Sequence, residues 1–248
     1  MGRAIKRYLL RNLLLFIAAV VLPGCATVTQ DTRLFNTGSA SPSASATIKL
    51  AQEQSDAIKR PTSKPYTGDL SVFEDPKRDQ KLQVDRVMEV LRIKEGSNVA
   101  DIGAGSGWFT VRAARRVGTS GTVYAVDINR DYLKYIEARA ERERLPNIKT
   151  ILGKEDNPLL PAKTLDAVLL LKTYHEVAQP IRLLKQTREA MRPGALLGII
   201  DRKGKGDDHG IDSEVVIKEA ERAGFVLLNQ YDFVKADEVD YLLVFRAQ

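Results

Sequence analysis

The residues best suited to chemistry begin with an acid and three alternating glycines, Asp101, Gly103, Gly105 and Gly107, in the run VADIGAGSG. Glycines at this spacing let the chain turn sharply and let a ligand approach the backbone closely. A dinucleotide fingerprint would put its third glycine at 108. That position is Trp and the glycine falls at 107, so the pyrophosphate arrangement is not met. Asp101, two places ahead of the first glycine, suits an amino group rather than a phosphate. Asp127 ends the apolar run VYAVD and can accept both hydroxyls of a ribose, the competing role being a helix N-cap or a surface acid. Glu155 and Asp156 follow a third apolar run; loop acids are common, and only one of the two need touch a base. Acids after successive apolar runs, with no basic phosphate cradle, describe a site for a nucleoside that carries positive charge.

A second group, Tyr174, His175 and Glu176, follows the apolar run LDAVLLL. His175 is one of two histidines in the chain. It reads either as a general base or hydrogen-bond partner for a second substrate, or as a structural residue closing the pocket. His209, among Asp207, Asp208 and Gly210, reads as a solvated loop residue. Trp108 and Phe109 read as pocket wall or core. Cys25, the lone cysteine, excludes an internal disulfide and a cysteine-based zinc site, and no metal-ligand set is expected.

These residues need elements to hold them. Apolar runs predict strands at Asn98–Ile102, Thr122–Asp127, Ile148–Leu152, Leu165–Leu171, Ala195–Ile200, Phe225–Leu228 and Tyr241–Phe245. Helical spacing predicts helices at Gln80–Ile93, Gly107–Val117, Arg130–Arg144, Pro180–Met191 and Ser213–Ala223. Proline opens the fourth of these and Gly224 follows the last. Their alternation implies a doubly wound α/β sheet with helices on both faces. The motifs then lie at the carboxyl ends of the strands, where open α/β sheets bind ligands. A single domain is expected over residues 73–248.

The chain has 248 residues, a formal net charge of +6, 44% hydrophobic and 28% charged residues. Those fractions are those of a globular protein. Four basic residues, Arg3, Lys6, Arg7 and Arg11, lie ahead of position 25 with no acid to offset them, so the remainder carries only +2. That is a weak footprint for general nucleic-acid binding, and no nucleic-acid partner is expected. The same basic residues precede the apolar run Leu13–Leu22, which ends at Pro23-Gly24-Cys25. The run is short of the ~20 residues that span a bilayer but fits a signal h-region. Residues 1–24 therefore read as a signal peptide. With Gly24 ahead of it, Cys25 resembles the cysteine of a bacterial lipobox, which implies diacylation, export and a membrane-tethered protein on the periplasmic or extracytoplasmic side. If the signal is not processed, the protein stays in the cytoplasm. Residues 25–72, rich in Ser, Thr, Ala and Pro, read as a largely disordered tether.

The segments VADIGAGSGWFT, VYAVDIN, GKEDNP, LDAVLLLKTYHEV and LLKQTREAMRPGALLGIID resemble successive motifs of the class I S-adenosylmethionine-dependent methyltransferases, small-molecule branch. The resemblance covers about residues 75–245. It implies a Rossmann-like sheet of order 3-2-1-4-5-7-6 with strand 7 antiparallel, and S-adenosyl-L-methionine as cofactor. It assigns Asp101, Gly103, Gly105 and Gly107 to the cofactor loop, Asp127 to the ribose, and Glu155 or Asp156 to the adenine. Tyr174 and His175 would face the transferred methyl group. Two functions follow: methyl transfer to a small-molecule or lipid-like acceptor, or a lipoprotein that uses the fold to bind a nucleoside or a partner without catalysis. The intact glycine turn favours the first. Export favours the second, because the cofactor is made in the cytosol.

Overall fold

The computed structural model describes residues 56, 58, 60–75, 77–204, 209–234 and 239–248. The leader, Cys25 and most of the expected tether lie outside the described residues. Two short helices, α1 (Arg78–Leu82) and α2 (Val84–Val90), lead into the first strand, β1 (Asn98–Ile102). Then come α3 (Trp108–Val117), β2 (Thr122–Asp127), α4 (Arg130–Glu143), β3 (Ile148–Leu152) and β4 (Leu165–Leu171). The chain continues through α5 (Pro180–Ala190), β5 (Met191–Arg202), α6 (Ser213–Arg222), β6 (Phe225–Tyr231) and β7 (Asp240–Ala247).

The seven strands form one sheet of order β3-β2-β1-β4-β5-β7-β6. Strands β1 to β5 run parallel, whereas β7 pairs antiparallel with both β5 and β6. This is the Rossmann-like methyltransferase order expected above. The all-apolar reading of β4 follows from its place: alternate side chains enter opposite cores. Val168 and Leu170 pack with Leu184, Leu197 and Phe245 on one face, while Ala167 and Leu169 pack with Leu91, Phe109 and Val244 on the other. The connection from β1 to β4 passes over β2 and β3, so the β1 and β4 turns diverge and leave a crevice at their carboxyl ends.

Three features differ from expectation. The helix expected over Gln80–Ile93 breaks at Gln83, which takes a left-handed conformation (φ +47°) while its side-chain amide donates to the carbonyl of Phe233 at 2.8 Å. The break lets Val84, Val87, Met88 and Leu91 turn into the core as one face. Strand β5 is longer than Ala195–Ile200, because Met191 still pairs with Leu165 across an irregular register. The third difference is at the N-terminal side. Asp56 pairs with Lys185, and Arg60 forms a two-toothed ion pair with Glu219 at 2.7 Å to each oxygen. Arg60 also donates to the carbonyl of Tyr174 at 3.0 Å, and its backbone N–H to that of Ala178 at 2.9 Å. The last part of the stretch read as tether is thus docked on the fold. Among the described residues no helix is long and apolar enough to cross a membrane.

Candidate functional site

The glycine turn connects β1 to α3. Gly103, Gly105 and Gly107 all have positive φ, between +55° and +75°. The N–H groups of Gly103 and Ala104 both donate to the carbonyl of Val126, at 2.8 and 3.1 Å, which ties the turn to the end of β2. Asp127 closes the same link: one carboxylate oxygen accepts from the Gly105 N–H at 3.0 Å and the other from the Asn129 N–H at 2.9 Å. The helix cap at α4 is supplied by Asn129, whose side chain accepts from Asp131 N–H, so Asp127 is not that cap. Asp101 sits at the base of the turn, 2% exposed, and accepts from the Thr110 hydroxyl at 2.6 Å.

These groups line a cavity of about 650 Å³, within the size of small-molecule sites. Asp101, Gly103, Gly105, Asp127 and Glu155 line it, together with Lys172, Thr173, Glu176 and His209, whereas Gly107 does not, a side chain there meeting Ile136 instead. A side chain added at Gly105 would meet nothing within 4 Å, because it would project into the cavity. Ser106 and Trp108 also belong to the lining, although Ser106 Oγ and Trp108 Nε1 are themselves buried, without a hydrogen-bond partner among the described residues. Acids at Asp101 and Asp127 and an open place at Gly105 fit a nucleoside bearing a cationic amino-acid tail.

Burial shifts both acids. The Asp101 carboxyl is pushed up to about 6, chiefly because it is cut off from water, with the Thr110 bond opposing and the nearby Asp127 charge adding to the rise. Asp127 is also raised by burial, against the pull of its backbone N–H partners. A cationic ligand would offset the cost of keeping both charged.

The group after β4 departs from expectation at Tyr174. Its ring is fully buried behind the cavity, with Arg60 stacked 5.4 Å from its centre, and its hydroxyl donates to Glu219 at 2.8 Å. Burial and the Glu219 charge push the phenol well above its usual range. Tyr174, expected at the methyl group, is thus absent from the cavity lining. His175 sits one layer behind the lining. Its Nδ1 lies 2.8 Å from the buried Asp201 carboxylate, and its Nε2 points toward Glu176, 3.7 Å away. Glu176 does face the cavity. Partial burial pushes its carboxyl up, but two bonds from Ser63 and the histidines His209 and His175 more than offset that, and the net shift is downward. Of the two acids after β3, Glu155 lines the cavity and Asp156 does not.

Several contributors were hidden in the sequence. Ser63, Lys64, Pro65 and Tyr66, from the stretch read as tether, form one wall. His209, read as a solvated loop residue, is largely exposed but also lines the cavity, with Nδ1 3.2 Å from Glu176. Asp201 was unremarked within β5. A single carboxylate at the end of an apolar strand, next to a basic residue, was the one available signal for it.

The seven-stranded sheet has the order of the Rossmann-like methyltransferase fold, and acids and an open glycine turn line its crevice. Comparison with known proteins agrees. Residues 99–194 match a family described as a methyltransferase domain. Demethylmenaquinone methyltransferase of Geobacillus sp. (strain WCH70) is 28% identical over 107 residues, 43% of this chain and 46% of that protein. The chain thus spans about half the length of the curated relatives it matches. A SAM-dependent methyltransferase from Aquifex aeolicus superposes with a TM-score of 0.66 at 24% identity, covering 72% of this chain and 97% of that one. The 4+2 cyclase SpnF superposes with a TM-score of 0.59 at 14% identity, covering 81% and 92%. The matched domain family and the fold imply S-adenosyl-L-methionine as the cofactor.

Proposed function

We propose that this chain is an S-adenosylmethionine-dependent methyltransferase acting on a small-molecule or lipid-like acceptor. The observation that carries the reading is the Gly105–Asp127 link: a carboxylate held by the turn's own N–H, beside an open place where any other side chain would intrude. The bound cofactor supplies an activated methyl group on a sulfonium. The chain's own share is then alignment, exclusion of water and, for a hydroxyl acceptor, removal of a proton. The turn and Asp127 fix the nucleoside end, Asp101 faces the amino group, and Glu155 stands beside the base. The acceptor enters from the side of Thr173, Glu176 and His209. Tyr66, Phe73 and Ile128 line the cavity and are each more than 40% exposed, so the mouth offers apolar contact to a ring or chain.

The test is calorimetric titration of the full chain with S-adenosylmethionine and S-adenosylhomocysteine, followed by a screen of quinols, phenols and lipids for methyl uptake. Binding of both ligands, and turnover with an apolar acceptor, are the expected results. Absence of binding would refute the assignment. Binding without transfer to any acceptor would favour the second reading, a lipoprotein that uses the fold to bind a nucleoside or a partner without catalysis. We also propose that Cys25 is lipidated and holds the domain on a membrane outside the cytoplasm. Palmitate should label the wild type and not Cys25→Ser; equal labelling, or none, would refute this.

A further inference from the structure

We propose that His175, Glu176 and His209 bind a divalent transition-metal ion of the zinc class at the acceptor end of the cavity. Each offers one ligand atom, and the three atoms lie within 4.8 Å of one another. Glu176 Oε1 is the hub, 3.7 Å from His175 Nε2 and 3.2 Å from His209 Nδ1. Ligands ~2.0–2.2 Å from a common ion lie roughly 3–4 Å apart, so small side-chain movements close the set. Two imidazoles with one carboxylate form a donor set that zinc and its neighbours in the first transition row accept, and three protein ligands leave a position open.

A second observation concerns the groups behind the ligands. Metal-binding histidines usually give their other ring nitrogen to a carboxylate, which fixes the tautomer and aims the free nitrogen. Asp201 does this for His175. It is fully buried, meets His175 Nδ1 at 2.8 Å, and accepts the backbone N–H groups of His175 and Arg202 at 3.0 and 2.9 Å. That leaves His175 Nε2 as the donor atom toward Glu176. Glu176 is held in the same way, since its Oε2 accepts the Ser63 N–H at 2.5 Å and leaves Oε1 for the ion. The nearby cation Lys172 is drawn off by Asp240.

Glu176 and His209 both line the cavity, so the open position faces it. There it would hold and orient an acceptor through an oxygen atom. This role rests on the methyltransferase reading; metal binding itself does not.

The full chain, purified in mild detergent and stripped with a chelator, is titrated with Co2+ and then Zn2+. One Co2+ per chain with visible d–d absorption, displaced by Zn2+, is expected. His209→Ala removes an exposed ligand, leaves the fold undisturbed, and should weaken binding by more than the about 10- to 100-fold that loss of an outer partner costs. Asp201→Asn should fall within that about 10- to 100-fold range. Cofactor titration of the same proteins separates the two claims. His209→Ala should bind S-adenosylmethionine as the wild type does, and Asp127→Ala should keep its Co2+ spectrum. No stoichiometric Co2+ or Zn2+ binding, or a His209→Ala protein that binds metal normally, would overturn the site even if cofactor binds. Metal binding without cofactor binding would overturn the methyltransferase reading and leave the site standing.

Discussion

The two ends of the cavity are built in opposite ways. The end proposed to hold the cofactor is local: Asp101, the glycine turn and Thr110 lie within one strand-turn-helix unit, and Asp127 reaches them through two adjacent strands. The acceptor end is assembled from distant parts. Glu176 is held by Ser63, Tyr174 by Glu219, and Glu219 by Arg60. A local site depends on backbone geometry, which a short sequence pattern can specify. A distant one depends on side-chain pairs that meet only after folding, so it is open to change without loss of the first. The expectation is that damage to the cofactor end shows as lost affinity in a stable protein, and damage to the acceptor end as lost stability or altered turnover.

The largest break should come from Gly105→Arg. The new side chain would occupy the cavity, and cofactor binding should vanish in calorimetry while far-ultraviolet circular dichroism stays native. Persisting affinity would mean that the ligand lies elsewhere. Next is Arg60→Ala. Among the described residues it leaves the buried Glu219 carboxylate with only the Tyr174 hydroxyl as partner, and loss of one member of a buried pair costs about 3–5 kcal/mol. Urea unfolding should show that loss, and the double variant Arg60→Met with Glu219→Gln should lose less than the sum of the single changes. Strict additivity would show that the pair does not pin the N-terminal wall.

Asp127→Ala should weaken S-adenosylmethionine by about ten- to a hundredfold, the value of hydrogen bonds to a charged group. Unchanged affinity would remove Asp127 from the ribose. An effect of opposite sign, on stability, belongs to Asp101→Asn. Because burial raises the folded carboxyl to about 6, the folded state holds that proton more tightly than the unfolded chain does. The stability this gives is complete below about pH 4, and it is lost as pH rises through about 6. Asp101→Asn should therefore stabilise the free protein by about 1–3 kcal/mol at neutral pH and leave it nearly unchanged near pH 4, while weakening the cofactor. Equal stability at both pH values would show that Asp101 is not strained by its burial.

The contrast between the two ends also explains what the sequence could reveal. The buried strands were legible because a run such as LDAVLLL has one solution, a strand covered on both faces. The glycine turn and Asp127 were legible because their spacing is set by backbone contacts within the β1–β2 unit. The docked segment around Arg60 was not, since its composition is that of a linker and one arginine, paired with a glutamate 159 positions away, decides its place. Tyr174 and His175 are neighbours in sequence, but the short 3-10 turn Tyr174–Glu176 sends them to different partners, Glu219 and Asp201. His209 lay in a polar run whose composition is that of any solvated loop, and only the fold brings it to Glu176. The break at Gln83 was invisible because the apolar spacing continues through it.

One contact joins the two ends directly. At Gly103 a side chain would collide with Thr173, the first atom met being Thr173 Oγ1 at 2.3 Å. The two positions therefore behave as a lock whose halves cannot drift separately. With φ at +75°, position 103 is confined to glycine for conformational reasons as well, so the freedom that remains belongs to 173, and only toward smaller side chains. A lineage that changed its acceptor could rebuild Lys172, Glu176 or His209 at little cost to the nucleoside seat. Enlarging residue 173 would instead push the glycine turn off its seat on Val126. Substrate range can thus evolve around this point but not through it.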